Sequence, residues 1–195
     1  MKRNRRFALV LLALVALAGA GCGNRRDGYD YGGGTDPGSS SAVSVKSGVV
    51  ATDSWGYTAS TPVPVAAPAQ AVITLASRSL LVDGSRTALS GELPSTVSFS
   101  VDPTTLPTAA QSSVPSGFVC YLDLSVATAQ TAIPAASVTV DVGSALAGTT
   151  VTASRYDAGS RTWLAGPSAV VGASGTASFA LADLAVWGIF KAGTS

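Results

Sequence analysis

The sequence predicts an all-β domain built as an antiparallel β-sandwich, and three observations predict it. From about Ala42 onward, apolar residues alternate with polar ones at a period of two. Turn signals such as Asp83-Gly84 separate the alternating runs. The Ala-rich pieces are interrupted by Pro62, Pro64, Pro68, Pro107, Pro115 and Pro134, so no window carries a long helical stripe.

The strands follow in order. Val43-Ser44-Val45 opens the alternation, and Ala71, Ile73 and Leu75 continue it. Leu80-Leu81-Val82 runs into Asp83-Gly84, which predicts a hairpin turn. Val97, Phe99 and Val101 alternate with Ser98 and Ser100. Leu106–Ser116 reads as a connection rather than a helix. In Gly117–Val126, the residues Phe118, Cys120, Leu122, Leu124 and Val126 fall on one face, opposite Tyr121, Asp123 and Ser125. Val138, Val140 and Val142 form one further apolar face, and Ala177, Phe179 and Leu181 another. Leu184–Lys191 is apolar on both faces, as a central strand would be. Residues 42–195, roughly 150 in all, suffice for a single domain with its own core.

The C-terminal third carries a resemblance. Val138–Val142, Gly148–Thr152, the Tyr156-Asp157-Ala158-Gly159-Ser160-Arg161-Thr162-Trp163 turn, Gly175–Phe179 and Leu184–Lys191 follow one another. This succession resembles the C-terminal hairpins of immunoglobulin-like β-sandwich modules in bacterial surface proteins. The resemblance implies an immunoglobulin-like sandwich and no particular activity.

The N-terminus has a different character. Lys2, Arg3, Arg5 and Arg6 precede an apolar run from Phe7 to Ala20, shorter than the about 20 residues a spanning helix needs. That is a secretory signal over residues 1–21. The stretch Leu17-Ala18-Gly19-Ala20-Gly21-Cys22 resembles the lipobox of bacterial lipoproteins. The resemblance implies that Cys22 is acylated, with palmitate-type chains, and becomes the mature N-terminus. Two or three chains at about 0.8 kcal/mol per buried methylene would make a permanent membrane anchor. Gly23, where enteric lipoproteins held at the inner membrane carry Asp, leans the same resemblance toward the cell outer membrane. Residues 22–41 then read as the lipidated cysteine and a Gly- and Ser-rich flexible tether with a typical reach of about 25 Å.

Composition narrows the function. The chain has no histidine, which removes Ser-His-Asp and Cys-His catalysis in their usual forms and histidine-ligated metals. Glu92 is the only glutamate. Loss of the signal takes four of the 12 basic residues and leaves eight against 11 acidic, a net charge of −3. Nucleic-acid binding, which needs clustered Lys and Arg, is not expected. No phosphate loop, dinucleotide fingerprint or nucleophile elbow is present. The expectation is a chain that is not an enzyme and holds no cofactor and no metal.

Four features remain as candidates. Cys120, on an apolar strand face, is expected to be a small buried hydrophobe rather than a reactive thiol. The Asp157–Ser160 loop lacks the dense aspartate spacing of calcium loops and is expected to be a plain turn. Trp163 and Trp187 sit among apolar neighbours and are expected to anchor the core. Trp55, with Tyr57, lies in the turn-like Asp53-Ser54-Trp55-Gly56-Tyr57 and is the better candidate for an exposed ligand contact. Two functions follow as expectations. One is a lipid-anchored cell-envelope protein with a structural or adhesive module that meets another envelope protein. The other is a surface domain that binds carbohydrate or peptide through exposed aromatics. The first wants its rings buried, the second wants them in solvent.

Overall fold

The computed structural model describes strand 43–45 and residues 53, 55, 57–59, 61–65, 71–89, 93 and 96–193, all within one compact unit, Gly38–Ser195. The signal, Cys22 and the tether lie outside the described residues. The strands are β1 (Val43–Val45), β2 (Thr61–Val65), β3 (Ala71–Leu75), β4 (Leu80–Asp83), β5 (Val97–Ser100), β6 (Phe118–Asp123), β7 (Gln130–Asp141), β8 (Thr150–Asp157), β9 (Thr162–Val170), β10 (Thr176–Asp183) and β11 (Val186–Lys191). Every pairing among them is antiparallel. Six form one sheet in the order β1-β5-β6-β11-β8-β9. The other sheet runs β10-β7-β3-β2, with β4 beside β3 on the same flank of β7. The all-β two-sheet sandwich expected from the alternation is the observed fold.

The alternation builds the core directly. Ile73, Leu75, Val138, Val140, Phe179 and Leu181 line the inner face of one sheet, all buried. Val97, Phe99, Cys120, Leu122, Ala153 and Ile189 line the other. Each fully buried large side chain contributes about 1.5–3 kcal/mol. β11 lies between β6 and β8, and Val186 through Phe190 are all buried, as its two apolar faces require. At Asp83-Gly84 the chain does turn back. Arg86 N donates to Asp83 O and Val82 bridges Ala88, which is the returning arm's one bridge among the described residues.

Three local features go beyond or against the expectation. First, Pro134 keeps its Ala-rich segment from being a helix, as expected, and the strand Gln130–Asp141 runs through it. β4 pairs with Gln130–Ile133 and β3 with Ser137–Val140, so the proline sits where neither partner needs an N–H. The register against β10 also shifts there, from Leu181 opposite Ala136 to Asp183 opposite Thr131. Second, Phe118 leaves the core face. Ile189 pairs with Cys120 and Phe190 with Phe118, so Val119 is an extra residue. That bulge turns Val119 toward the core and Phe118 toward the outer face.

Third, the connection after β5 contains regular structure. A 3-10 turn at Pro103–Thr105 begins at Asp102, whose carboxylate accepts from Thr104 N at 2.9 Å. A four-residue helix, α1 (Thr108–Gln111), follows. This segment covers the outer face of the six-stranded sheet over a second apolar cluster: Leu106, Ala110, Tyr121, Tyr156 and Val186. Tyr121 therefore points away from the main core and is still buried. Its hydroxyl donates to Thr105 O at 2.9 Å, and that of Tyr156 donates to Ala109 O at 2.7 Å. Two phenols thus tie the connection onto the sheet. Gly188 makes room beneath the rings: a Cβ there would lie 2.6 Å from Phe190 Cε2 and 2.8 Å from Trp163 Cζ3.

The edge strand β2 carries prolines at alternate positions, Pro62 opposite Thr74 and Pro64 opposite Val72. A proline has no N–H, so the ladder to β3 rests on Thr61, Val63 and Val65. The outward-facing positions of this edge offer no donor there.

Candidate functional site

The three tryptophans have three different fates. Trp187 is 5% exposed, lies in the main core, and donates from Nε1 to Asp183 O at 2.8 Å. Trp163 is half-buried, but on the outer face rather than in the core as expected. It packs on Tyr156 and Phe190 with ring centroids 5.4 and 5.3 Å away. The reason is register: Trp163 pairs with Tyr156, whose side chain already points outward. Its buried Nε1 has no hydrogen-bond partner. Trp55 is 76% exposed, the most exposed large apolar side chain among the described residues.

A small hydrogen-bonded loop holds Trp55. The Asp53 carboxylate accepts from Trp55 N at 2.9 Å and from Tyr57 N at 3.1 Å, and Asp53 N donates to Tyr57 O at 3.0 Å. Aspartate favours this because its short side chain reaches the backbone two residues on. The loop is fixed to the sheet through Tyr57, which bridges Leu80, and through Thr58, whose N donates to Ser79 O at 2.8 Å. Thr58 is 4% exposed and its hydroxyl has no partner.

The structure adds a residue that the sequence did not single out. Arg78 N donates to Thr58 O at 2.7 Å, and the Arg78 guanidinium carbon sits over the Tyr57 ring, 5.3 Å from its centroid. The backbone of Arg78 is left-handed, with φ 65°. Nothing in Ser77-Arg78-Ser79 signals this, because the pairing of Thr58 with Ser79 that creates it is long-range. Among the described residues Arg78 has no carboxylate within salt-bridge distance, whereas Arg155 and Asp183 pair at 3.2 Å. The candidate site is therefore an exposed indole at Trp55 and, two positions along the same loop, a phenol at Tyr57 with a guanidinium over its ring.

The other chemistry-bearing groups are taken up by structure. Six of the seven described aspartates accept from a backbone N–H in their own turn: Asp53, Asp83, Asp102, Asp123, Asp141 and Asp157. The seventh, Asp183, pairs with Arg155 and accepts from Thr131 Oγ1 at 3.1 Å. Hydrogen bonds from the Ser85 hydroxyl to Asp83 and from the Ser160 hydroxyl to Asp157 hold both carboxyls below their usual range. The Asp157 loop is thus closed on itself by Ser160. Among the described residues no three His, Cys, Asp or Glu side chains gather as a metal site. Burial raises the Tyr121 phenol above its usual value.

Cys120 is free and 1% exposed, and burial pushes its thiol up to about 12. Its thiolate is therefore absent at neutral pH. In the Cys22→Ser protein, a maleimide should not label Cys120 in the native fold between pH 7 and pH 9 and should label it fully in denaturant. Rapid native labelling would show an accessible, reactive thiol.

Compared with known proteins, the chain matches no family model, no curated protein and no solved structure. Among the described residues, no helix is long and apolar enough to cross a membrane.

Proposed function

We propose that this chain is a lipid-anchored envelope protein whose β-sandwich is a non-enzymatic structural or adhesive module. One observation carries the reading of the domain: among the described residues, the carboxylates and the rings other than Trp55 are spent on holding the fold. Trp187, Tyr121, Tyr156 and Phe99 are buried, and every described aspartate is engaged in a turn or an ion pair. The similarity of residues 138–191 to immunoglobulin-like modules of bacterial surface proteins supports the same reading. The anchor rests on Leu17–Cys22, and Gly23 favours the outer membrane. Partners of such a module are the membrane, through the lipid, and another envelope protein.

The test begins with the anchor. Cys22→Ser should move the protein out of the membrane fraction and remove the acyl mass. A variant that stays in that fraction with unchanged mass overturns the anchoring. Crosslinking of intact cells should then recover the anchored chain with a defined envelope protein. A chain that crosslinks only to lipid speaks against an adhesive role.

A second reading has its own support. Trp55 is held out in solvent by a hydrogen-bonded loop, and a carbohydrate- or peptide-binding surface domain would place a ring in that way. In that reading Trp55 and Tyr57 are the contact residues.

A further inference from the structure

We propose that the Trp55 loop binds an acidic glycan, with the indole stacking on a sugar ring and Arg78 taking a sugar carboxylate. The proposal rests on the ligand-binding reading and names its ligand class. Trp55 is 76% exposed, yet its backbone is fixed by the Asp53 carboxylate, so little order remains to be paid on binding. A flat apolar ring presented in water matches the C–H face of a pyranose. One residue separates Trp55 from Tyr57, and two steps along the chain bound their Cα separation at about 7 Å. One or two sugar rings fit such a span.

Arg78 gives the charge. Its guanidinium lies against the Tyr57 ring, which holds the planar fork in place, and among the described residues no carboxylate neutralises it. A placed guanidinium binds carboxylates in a bidentate manner. The arrangement also disfavours a peptide. Peptides that add to a sheet need main-chain donors on its edge, and the edge strand that follows the loop in the chain, β2, carries Pro62 and Pro64. What remains is recognition by side chains alone: one ring and one cation.

The full-length protein in detergent micelles is titrated calorimetrically with oligomers of galacturonate, glucuronate and mannuronate. Their neutral methyl esters and oligo-glutamate are run in parallel. At least one uronate oligomer should bind, and its methyl ester should bind about tenfold more weakly or worse, the ratio set by a hydrogen bond to a charged group. Arg78→Gln should bring the acid down to the level of the ester, and Trp55→Ala should abolish both. Both side chains are exposed, so the circular dichroism of each variant should match the parent. Equal binding of acid and ester overturns the acidic class and leaves the loop as a ligand site. Binding of oligo-glutamate with no uronate bound replaces the glycan by a peptide. No binding of any probe removes the ligand-binding reading altogether.

Discussion

Trp187→Ala is expected to cost about 3–5 kcal/mol of stability. For a domain of this size that lowers the melting temperature by about 6–20 °C. The side chain is 5% exposed in the main core, so its removal leaves a cavity between the sheets. Its Nε1 donates to Asp183 O, which holds the end of β10 against β11. The indole also fixes what lies above it. A Cβ on Gly166 would sit 2.9 Å from Trp187 Cζ3, so the edge strand β9 is moulded to this ring. Trp163→Ala should cost clearly less. That ring is half-buried on the outer face and gives up no hydrogen bond, because its Nε1 has none. Thermal melts of the purified variants separate the two, and equal losses would contradict this division of roles.

The difference between the two tryptophans shows where the sequence was legible. Alternation places Ile73, Phe99, Val138 and Phe179 inward, as the structure has them, because a pleated strand leaves a side chain only two directions. What alternation does not reveal is whether the outward direction is wet. Alternation sets Tyr121 opposite Cys120 and Leu122, where the structure has it, but the 103–111 segment roofs that face. The roof depends on hydrogen bonds from Tyr121 and Tyr156 to carbonyls 16 and 47 residues away, which no short window contains. The bulge at Val119 escaped for a related reason. One extra residue moves Phe118 to the other face and leaves the local pattern looking regular. At the candidate site the exposed Trp55 was readable from its turn-like neighbours. Arg78 was not, since it reaches Tyr57 only after Thr58 has paired with Ser79.

Gly175→Ala is the second large effect, and it explains the glycine of the Gly175–Phe179 pattern. Gly175 has φ 86°, a left-handed backbone that a β-carbon resists. Its Cβ would stand 2.5 Å from Gly143 C and 2.5 Å from Ser144 N. These are backbone atoms, which cannot rotate away as a side-chain tip can. The turn before β10 is pressed onto the turn after β7, and Val142 N donates to Gly175 O at 2.9 Å across that contact. The left-handed penalty and the clash together place the cost at about 2–5 kcal/mol. Gly172, in the same turn, is the control. Its Cβ would meet nothing nearer than Thr176 O at 3.5 Å, an ordinary contact. Gly172→Ala should therefore change stability by less than about 1 kcal/mol. Urea unfolding of the pair decides the matter. If Gly175→Ala unfolds at the parent's midpoint, the two turns do not touch as described. If both variants lose stability equally, the whole turn is intolerant, and the close approach of Gly175 to Gly143 is not its cause.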